Sequence, residues 1–462
     1  MEQLKKYKKE IIFSLGILIA VIIWNLNLPN LPAAGQKTLA LSLMTVVFWA
    51  AKVAHPGYVS ALFLSLLLIF KIAAPEEVFS LWSSSLIYII IGAYLIAAAV
   101  KSSGLGERIA YNFIIKYVDS YKSIIFSIFF LTILLSLLIP HPWPRSFLIM
   151  SVMAVVIDSA SISENDGKKI GFAVFAFSVP ISMIFMTGDS TINILAVEMS
   201  GQSLSWLEWL YQMGVPALFA SILTLILFLK IFQPEKKVVV NKEEISKKLE
   251  DLGSFSTKEK RMIFWIALAI ILWTTDSLHG IDLGWVTLVI AALMGMPLVG
   301  NVLEAKDWSN VPLGILFFLT AAVAIGRIGG STGMNAWIAS VILPAELPAN
   351  IFVFALMIVI ISMIMHMFLG SVIAVMGIAI PAFIIFAEGQ GINPLVPALM
   401  TYSSIALHYV FPFHHLNILV GIGENNGMYD NKTVIKFGLP LTIIIIIVVL
   451  FQALWWQSTS LI

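Results

Sequence analysis

The stretch Gly188-Asp-Ser-Thr-Ile-Asn193 (GDSTIN) is a run of small and polar residues inside an apolar segment that extends from Ile170 to Val197. A bilayer core about 30 Å thick needs about 20 apolar residues per helix, so this segment predicts a membrane helix that is broken midway. Backbone outside a helix is tolerated at membrane depth only where protein or a water-filled cavity satisfies its polar groups. We therefore expect this break to belong to a functional site.

Three further apolar runs are interrupted by proline, glycine or polar residues. They extend over 123–158 with a bend at 139–145, over 349–387 with a bend at 368–371, and over 396–422 with a break at 412–417. We predict that the first two are re-entrant hairpins, which return to the side of the membrane from which they entered. The third is predicted to be a second broken helix.

The composition excludes a soluble enzyme. Of the 462 residues, 60% are hydrophobic and 11% are charged, whereas a soluble chain has about 45–50% apolar and about 25% charged residues. The formal net charge of +1 gives no field that would attract nucleic acid, and without cysteine there is no disulfide or thiolate metal site. The sequence predicts an all-α polytopic membrane protein that has the lipid bilayer as its surroundings, with no nucleic-acid partner and no cofactor.

The basic residues indicate the topology. If the N-terminus is cytoplasmic, eleven helices span the membrane and each hairpin returns to its own side, nearly all of the 27 lysines and arginines are cytoplasmic. The exceptions are Lys37, Lys71 and Arg327 outside, and Arg145 at a hairpin tip. This bias is typical of the positive-inside rule. We therefore predict a multi-pass protein of the inner (cytoplasmic) membrane.

The chain also repeats itself. Asn193-Ile-Leu195 recurs as Asn417-Ile-Leu419, and Gly214-Val-Pro216 recurs as Gly438-Leu-Pro440, with the same spacing. Each half has an odd number of spanning helices, so the halves must be inverted relative to each other. We predict an N-terminal helix (1–33), a first inverted repeat (34–232), a cytoplasmic linker (233–260) and a second inverted repeat (261–462). Inverted repeats with paired broken helices are typical of secondary transporters with a site at the midplane.

The order of elements and the pattern Asn193-Ile-Leu-Ala followed by Gly214-Val-Pro resemble the divalent-anion/sodium symporter family, over nearly the whole chain from about Leu31. The resemblance implies an eleven-helix homodimer whose transport domain moves, like an elevator, against a scaffold domain and carries dicarboxylates, citrate or sulfate. The family has a Ser-Asn-Thr triplet at each hairpin tip and a Thr-Pro-Pro-like stretch before each asparagine, where sodium and substrate bind. Here those four places hold Pro140-His-Pro142, Ser371-Val-Ile373, Ser190-Thr-Ile192 and His414-His-Leu416.

Arg145 and Asp189 are two charges that loop placement does not explain. An arginine near the bilayer midplane costs at least about 2.5–3.5 kcal/mol, so Arg145 should bind the anion bidentately or pair with Asp189. Asp189 in turn could bind Na⁺ with carbonyls such as that of Gly188, carry a coupled proton, or cap the half-helix that begins near Thr191. The sequence leaves these alternatives open.

Three histidines, His141, His414 and His415, occupy or adjoin the places of the missing sodium motifs. A protonated imidazole could supply the charge that sodium supplies elsewhere, and an imidazole that titrates near neutral pH could carry a coupled proton. Alternatively, each ring satisfies a neighbouring carbonyl. His366 and His408 lie within apolar helices and are predicted to be core histidines. This pattern favours a sodium-independent exchanger or a proton-coupled carrier over a sodium symporter.

The remaining candidates surround the helix breaks. Asn193 and Asn417 begin the second half-helices, where backbone N–H groups and the helix dipole attract anions, although N-capping alone would also explain them. The full predicted substrate-binding set is Arg145, Ser146, Ser190, Thr191, Asn193, Ser371, His414, His415 and Asn417, with His141, Gly188 and Asp189 assigned to ion coupling.

The sequence thus predicts a secondary transporter of small organic anions, of the di- or tricarboxylate type, with Na⁺ or H⁺ as the coupling ion. Sulfate or another inorganic anion is the alternative substrate. The alternative from another class is a membrane-embedded hydrolase or transferase that uses Asp189 with His141 or His414 as acid and base.

Overall fold

The computed structural model describes residues 2–160, 162–235, 238, 240, 242–342, 350–388, 391–423 and 426–462. Over these ranges the chain is all-helical, and its only β-type pairing is an isolated bridge between Ile422 and Tyr429. The predicted fold class is confirmed. Six helices of the described chain are long and apolar enough to cross a membrane, and the predicted total of eleven spanning helices stays a prediction.

The first half contains α1 to α12. Their bounds are α1 Glu2–Asn25, α2 Ala33–Ala50, α3 Pro56–Ile69, α4 Pro75–Val78, α5 Ser85–Ser103, α6 Leu105–Tyr117, α7 Tyr121–Leu138, α8 Pro142–Ser159, α9 Glu164–Ile181, α10 Ile192–Met199, α11 Trp206–Trp209 and α12 Val215–Ile231. Short 3₁₀ turns at Ser80–Ser83 and Met186–Asp189 and a π turn at Leu210–Gly214 lie between them.

The linker contains α13 and the second half contains α14 to α23. Their bounds are α13 Lys242–Asp251, α14 Thr257–Thr274, α15 Asp276–His279, α16 Leu283–Gly295, α17 Leu313–Ser331, α18 Met334–Ile342, α19 Ile351–Leu369, α20 Val372–Glu388, α21 Leu395–Ala406, α22 Leu416–Val420 and α23 Asn431–Ser458. Two 3₁₀ turns, Ala305–Asn310 and Pro412–His414, complete this half. The predicted end of the linker at 260 lies inside α14.

Both predicted hairpins form helix–turn–helix units. The first joins α7 to α8 through 139–141, and the second joins α19 to α20 through Gly370 and Ser371. Gly370 has a φ of 58°, a conformation that favours glycine, and a Cβ built there would meet the Phe413 ring at 3.0 Å. The second tip therefore turns tightly against the second broken helix.

Both predicted broken helices are also present, and each break starts earlier than the sequence indicated. The first opens at Ser182, after α9, because the Asn193 amide donates to the carbonyls of Ser182, Phe185 and Met186. The second opens at Leu407, after α21, where the imidazole of His414 accepts from backbone N–H groups. In both cases a side chain further along the chain hydrogen-bonds to backbone groups that have no partner within the helix.

The buried side chains form two apolar clusters. The smaller one consists mainly of α1, α2, α3 and α17, with single residues of α4, α18 and α20. The larger one includes the hairpins, the broken helices, α12 and α23, together with α5, α14, α16 and part of α17. We call α1–α5 and α14–α17 the frame, and α7–α10, α12 and α19–α23 the inner bundle. Helices from the two halves pair within each group, α3 with α17 and α5 with α16 in the frame, and α12 with α23 in the inner bundle.

The described part of the linker is docked on the first half. Helix α13 packs against α6 and α8. Arg108 of α6 makes a buried ion pair with Glu259 at 2.5 Å, donates to the Gly253 carbonyl at 2.9 Å, and lies 4.7 Å from the Phe255 ring centre. Hydrogen bonds from Arg108 hold the pKa of Glu259 below its ordinary value. The end of the linker is thus fixed to the amphipathic helix α6.

Candidate functional site

The first hairpin tip is hydrogen-bonded to the first helix break. Ser190 donates from its hydroxyl (2.9 Å) and from its backbone N–H (3.3 Å) to the carbonyl of Pro140. Pro140 and His141 are buried. The break therefore closes over the tip through backbone and hydroxyl contacts.

Arg145 is fully buried directly behind this tip and is held by neutral oxygens. Its Nη1 donates to the carbonyls of Ile139 and Gly188, both at 3.2 Å. Its Nη2 donates to the hydroxyls of Ser182 at 2.6 Å and Ser178 at 3.4 Å. Carbonyl and hydroxyl oxygens are the ligands that hard metal cations prefer. The guanidinium thus occupies a cage of the kind that would suit a cation.

The predicted alternative in which Arg145 pairs with Asp189 is not formed. Among the described residues, none of the ion pairs includes Arg145. Asp189 instead accepts through one carboxylate oxygen from the backbone N–H groups of Thr191 (3.2 Å) and Ile192 (3.4 Å). This is the capping geometry, in which the charge faces the positive end of α10. The Gly188 carbonyl, a predicted sodium ligand, is bound by Arg145.

The two asparagines link the halves of the protein. Asn193 has all its polar atoms bound: its amide nitrogen holds the first break, and its oxygen accepts from the hydroxyl of Tyr402 on α21. Asn417 donates to the carbonyl of Phe175 on α9 at 3.0 Å, while its oxygen is buried without a partner in the described structure. Each asparagine therefore reaches the first helical segment of the opposite broken helix.

The three predicted site histidines act as helix or loop caps through Nδ1. His141 accepts from Trp143 N–H at 3.3 Å, His415 from Asn417 N–H at 3.2 Å, and His414 from Val410 and Phe411 at 3.2 and 3.3 Å. A nitrogen that accepts from an amide carries no hydrogen, so each ring is a neutral tautomer protonated on Nε2. His141 Nε2 then donates to the Tyr94 hydroxyl at 2.8 Å. In this conformation the three rings supply donors rather than positive charge.

The remaining predicted residues separate into bound and unpartnered hydroxyls. Ser371 accepts from the Ala374 N–H at 3.3 Å, which caps α20. The Ser190 hydroxyl is bound to the Pro140 carbonyl. The hydroxyls of Ser146 and Thr191 are buried and lack partners within the described chain. These two hydroxyls, with Asn417 Oδ1, His414 Nε2 and Arg145 Nε, are the buried polar atoms of the predicted set that have no partner in the described structure.

The structure brings the two halves of the predicted set close together. Helix α10, which follows the first break, packs on α20 and α21, and α22, which follows the second break, packs on α8 and α9. The residues that the sequence did not indicate are the partners of these side chains: Ser178 and Ser182 beside Arg145, Tyr402 on Asn193, Phe175 on Asn417, and the pair His366–His408. The histidines were visible in the sequence, but nothing local showed that they would meet.

The chain is similar to known proteins over nearly its whole length. The family model described as the transmembrane region of sodium:sulfate symporters matches residues 8–462. The chloroplastic dicarboxylate transporter 1 of Spinacia oleracea is 24% identical over 96% of this chain and 81% of its own length. The putative malate transporter YflS of Bacillus subtilis is 24% identical over 70% of each chain. The crystal structure of the Alcanivorax borkumensis YdaH transporter has a similar fold, with a TM-score of 0.53 and 14% identity over 85% of this chain and 89% of that one.

Proposed function

Because the chain belongs to the sodium:sulfate symporter family, we propose that it is a secondary carrier of small dicarboxylates that works by elevator-type alternating access. As a member it is a multi-pass membrane transporter and not an enzyme, which sets aside the hydrolase or transferase that would use Asp189 and His141. The relatives named as dicarboxylate and malate transporters support a dicarboxylate. Sulfate, which the family description names, is the alternative substrate.

The observation that supports the proposal most is that each hairpin tip contacts a helix break and that the two breaks are connected. Each hairpin tip lies against the break of its own half, through Ser190 and Pro140 in the first half and Phe413 and Gly370 in the second. The asparagine contacts then tie each break to the other half. A ligand bound between the two breaks would contact both repeats, as expected of a carrier site at the repeat interface.

The anion is proposed to bind the unpartnered polar atoms of this region. The Ser146 and Thr191 hydroxyls and the Nε2–H of His414 are buried donors whose partners the described residues do not supply. A buried donor without a partner costs about 1–3 kcal/mol, and a carboxylate oxygen would remove that cost. Arg145 contributes its fixed charge from behind the tip, while Nη1 stays on the two carbonyls and Nη2 on the two serine hydroxyls.

The carrier is proposed to be independent of sodium. The support is that the Gly188 carbonyl and its neighbouring oxygens are bound by the guanidinium of Arg145, and that the described residues include no cluster of acidic or histidine side chains suited to a metal ion. The sodium named in the family description keeps sodium symport as the alternative. The homodimer, the cytoplasmic N-terminus and the elevator motion belong to the same proposal.

The test is uptake into proteoliposomes with labelled succinate, malate, citrate and sulfate. We expect unmodified succinate or malate to accumulate and to exchange against the same anion inside. Accumulation of none of the four would overturn the function, and product without accumulation would point to an enzyme.

A matched pair of serine variants on α8 tests the proposed contact. In Ser146→Ala we expect KM to rise about 10-fold or more, because a hydrogen bond to a charged group contributes about 1.5–3 kcal/mol. Ser151→Ala is the control, since the Ser151 hydroxyl bonds to its own helix at 2.8 Å and lies at an exposed position. Equal KM values in both variants would remove Ser146 from the site.

A further inference from the structure

His366 and His408, which the proposed function does not use, form a triangle with His414 at the second hairpin tip. His366 is on α19, four residues before Gly370, and His408 and His414 are in the second break. Their ring centres are 5.3 Å (His366 and His408), 5.5 Å (His366 and His414) and 5.5 Å (His408 and His414) apart. All three side chains are buried. The cluster therefore joins the hairpin to the break, as Ser190 and Pro140 do in the first half.

The closest contact in the triangle is between two nitrogens. His366 Nδ1 and His408 Nδ1 are 3.2 Å apart, so one of them carries a hydrogen and the other accepts it. Since each neutral imidazole has one N–H, the donor ring of this pair has an Nε2 without hydrogen. That Nε2 can accept a proton while the Nδ1 contact stays intact. The product is an imidazolium that donates a charge-assisted bond to its neutral partner, which is roughly twice as strong as a neutral one.

The pair can hold one proton and not two. With both rings protonated, two N–H groups would face each other at 3.2 Å, and two like charges would be buried together. His414 does not compete for the proton in this conformation, because its Nδ1 accepts from Val410 and Phe411 and its Nε2 already carries the hydrogen. His414 stacks on His408 with an interplanar angle of 20° and keeps a buried Nε2–H without a partner in the described structure.

Among the described residues, none supplies a fixed counter-charge for that proton. The groups that act electrostatically on His366 are His408, His414 and His415, and on His408 only His414. On the helices that pack on α19, the described lysines are Lys37 of α2 and Lys432 and Lys436 of α23, and none of them is among the groups that act on the two rings. Tyr402 bonds to Asn193, and the Tyr409 hydroxyl is buried without a partner in the described structure.

We propose that the His366–His408 pair is a binding site for the proton that travels with the anion, a proposal that rests on the proposed function. A buried positive charge without a counter-ion is costly, and an anion bound at the adjacent break removes that cost. Proton binding and anion binding then favour each other by the same factor, as linkage requires. The Nε2–H of His414 lies between the two, as a donor to the anion beside the protonated pair.

The test measures protons taken up when the anion binds. Purified protein in weakly buffered detergent solution with a pH-indicating dye is mixed with sulfate, whose charge is constant over roughly pH 5.5–8, or with fumarate if the uptake panel shows dicarboxylate transport. We expect the wild-type protein to take up as much as one proton for each anion bound. His366→Asn and His408→Asn keep a polar side chain that does not titrate, and we expect both to bind the anion without proton uptake.

His55→Asn is the matched control. His55 is exposed and caps α3 through Nδ1, a role that asparagine also performs, so proton uptake should equal that of the wild type. Anion binding by the wild type without proton uptake at any pH in the range would overturn the proposal, as would full uptake in both site variants.

If neither His366→Asn nor His408→Asn binds the anion, the pH dependence of the wild-type Kd for the anion tests the proposal. The proposal requires Kd to rise about 10-fold per pH unit above the titration of the pair, and a Kd independent of pH would overturn it. Absence of anion binding to the wild type at every pH would instead contradict the proposed function.

Discussion

At the scale of single residues, the guanidinium of Arg145 takes the place of a mobile cation at the first hairpin tip. It joins the tip carbonyl of Ile139, the break carbonyl of Gly188 and the hydroxyl of Ser182. A sodium ion in this position would use the same kinds of oxygen. Because the charge is covalently attached, the proposed function predicts that the first half does not depend on the ion concentration outside the protein.

Arg145→Ala should therefore make transport depend on an added cation. Removal of the guanidinium leaves two carbonyls and two hydroxyls around a cavity, and each unpaired buried group costs about 1–3 kcal/mol. We expect the uptake rate to fall about 10-fold or more and to recover in part with millimolar guanidinium or with Na⁺. The measurement is initial uptake into proteoliposomes in choline, sodium and guanidinium media.

Arg145→Lys is the companion variant. A lysine keeps the charge but not the four fixed contacts, so we expect partial activity that added sodium does not change. Wild-type uptake by Arg145→Ala in choline would contradict the role given to the guanidinium.

The sequence located the polar residues of both breaks but not their partners. Asp189 and Asn193 were recognisable because polar residues interrupt an apolar run. Their roles depended on contacts with residues far away in the chain, such as Tyr402 with Asn193. His366 and His408 lie 42 positions apart and each looked like a core histidine. No local pattern encodes a contact of that kind.

At the scale of elements, the hairpins and broken helices were predictable because prolines and glycines interrupt runs of spanning length. Their exact bounds were not. The first break extends back to Ser182 because Asn193 binds three carbonyls upstream, and the second begins at Leu407 because His414 binds upstream N–H groups. Each of these side chains lies downstream of the helix end that it stabilises. The hydropathy of the helix therefore does not reveal where the helix ends.

One ion pair joins the frame to the inner bundle. Arg327 of α17 and Glu198 of α10 are 2.5 Å apart, and both side chains are partly exposed. If the inner bundle slides against the frame, this contact must break in each cycle. The chain has no cysteine, so the variant Glu198→Cys with Arg327→Cys can be linked at this one place by a reversible bis-methanethiosulfonate reagent. We expect the link to stop uptake and a reductant to restore it.

The control pair lies within the frame. Ser331 of α17 donates to Glu77 of α4 at 2.6 Å, so Glu77→Cys with Ser331→Cys should accept the same reagent with little effect on uptake. Unchanged uptake in the linked first pair would contradict motion between the frame and the inner bundle.

At the scale of the whole molecule, composition and hydropathy were enough to place the chain in a membrane and to predict an all-helical fold. They did not predict how the linker docks. The sequence predicted a cytoplasmic linker and indicated none of its contacts to the helices, yet Glu259 is buried against Arg108 and the Gly253 carbonyl accepts from the same guanidinium. A charged residue looks solvated in the sequence whether or not a partner meets it in the fold.

Each half has a basic group near its hairpin tip, but the two groups differ in kind. The first tip has a permanent charge, Arg145, behind it, and the second has a pair of imidazoles, His366 and His408, that can gain a charge. We propose that both supply positive charge near the places where the family resemblance implied sodium motifs. This carrier of small anions would then use charges of its own side chains where sodium would otherwise be required.

The most direct test compares initial malate or succinate uptake into proteoliposomes in sodium and in choline media at one fixed pH, with an empty-liposome control. We predict equal rates in the two media. Uptake that occurs only in the presence of sodium would contradict this prediction.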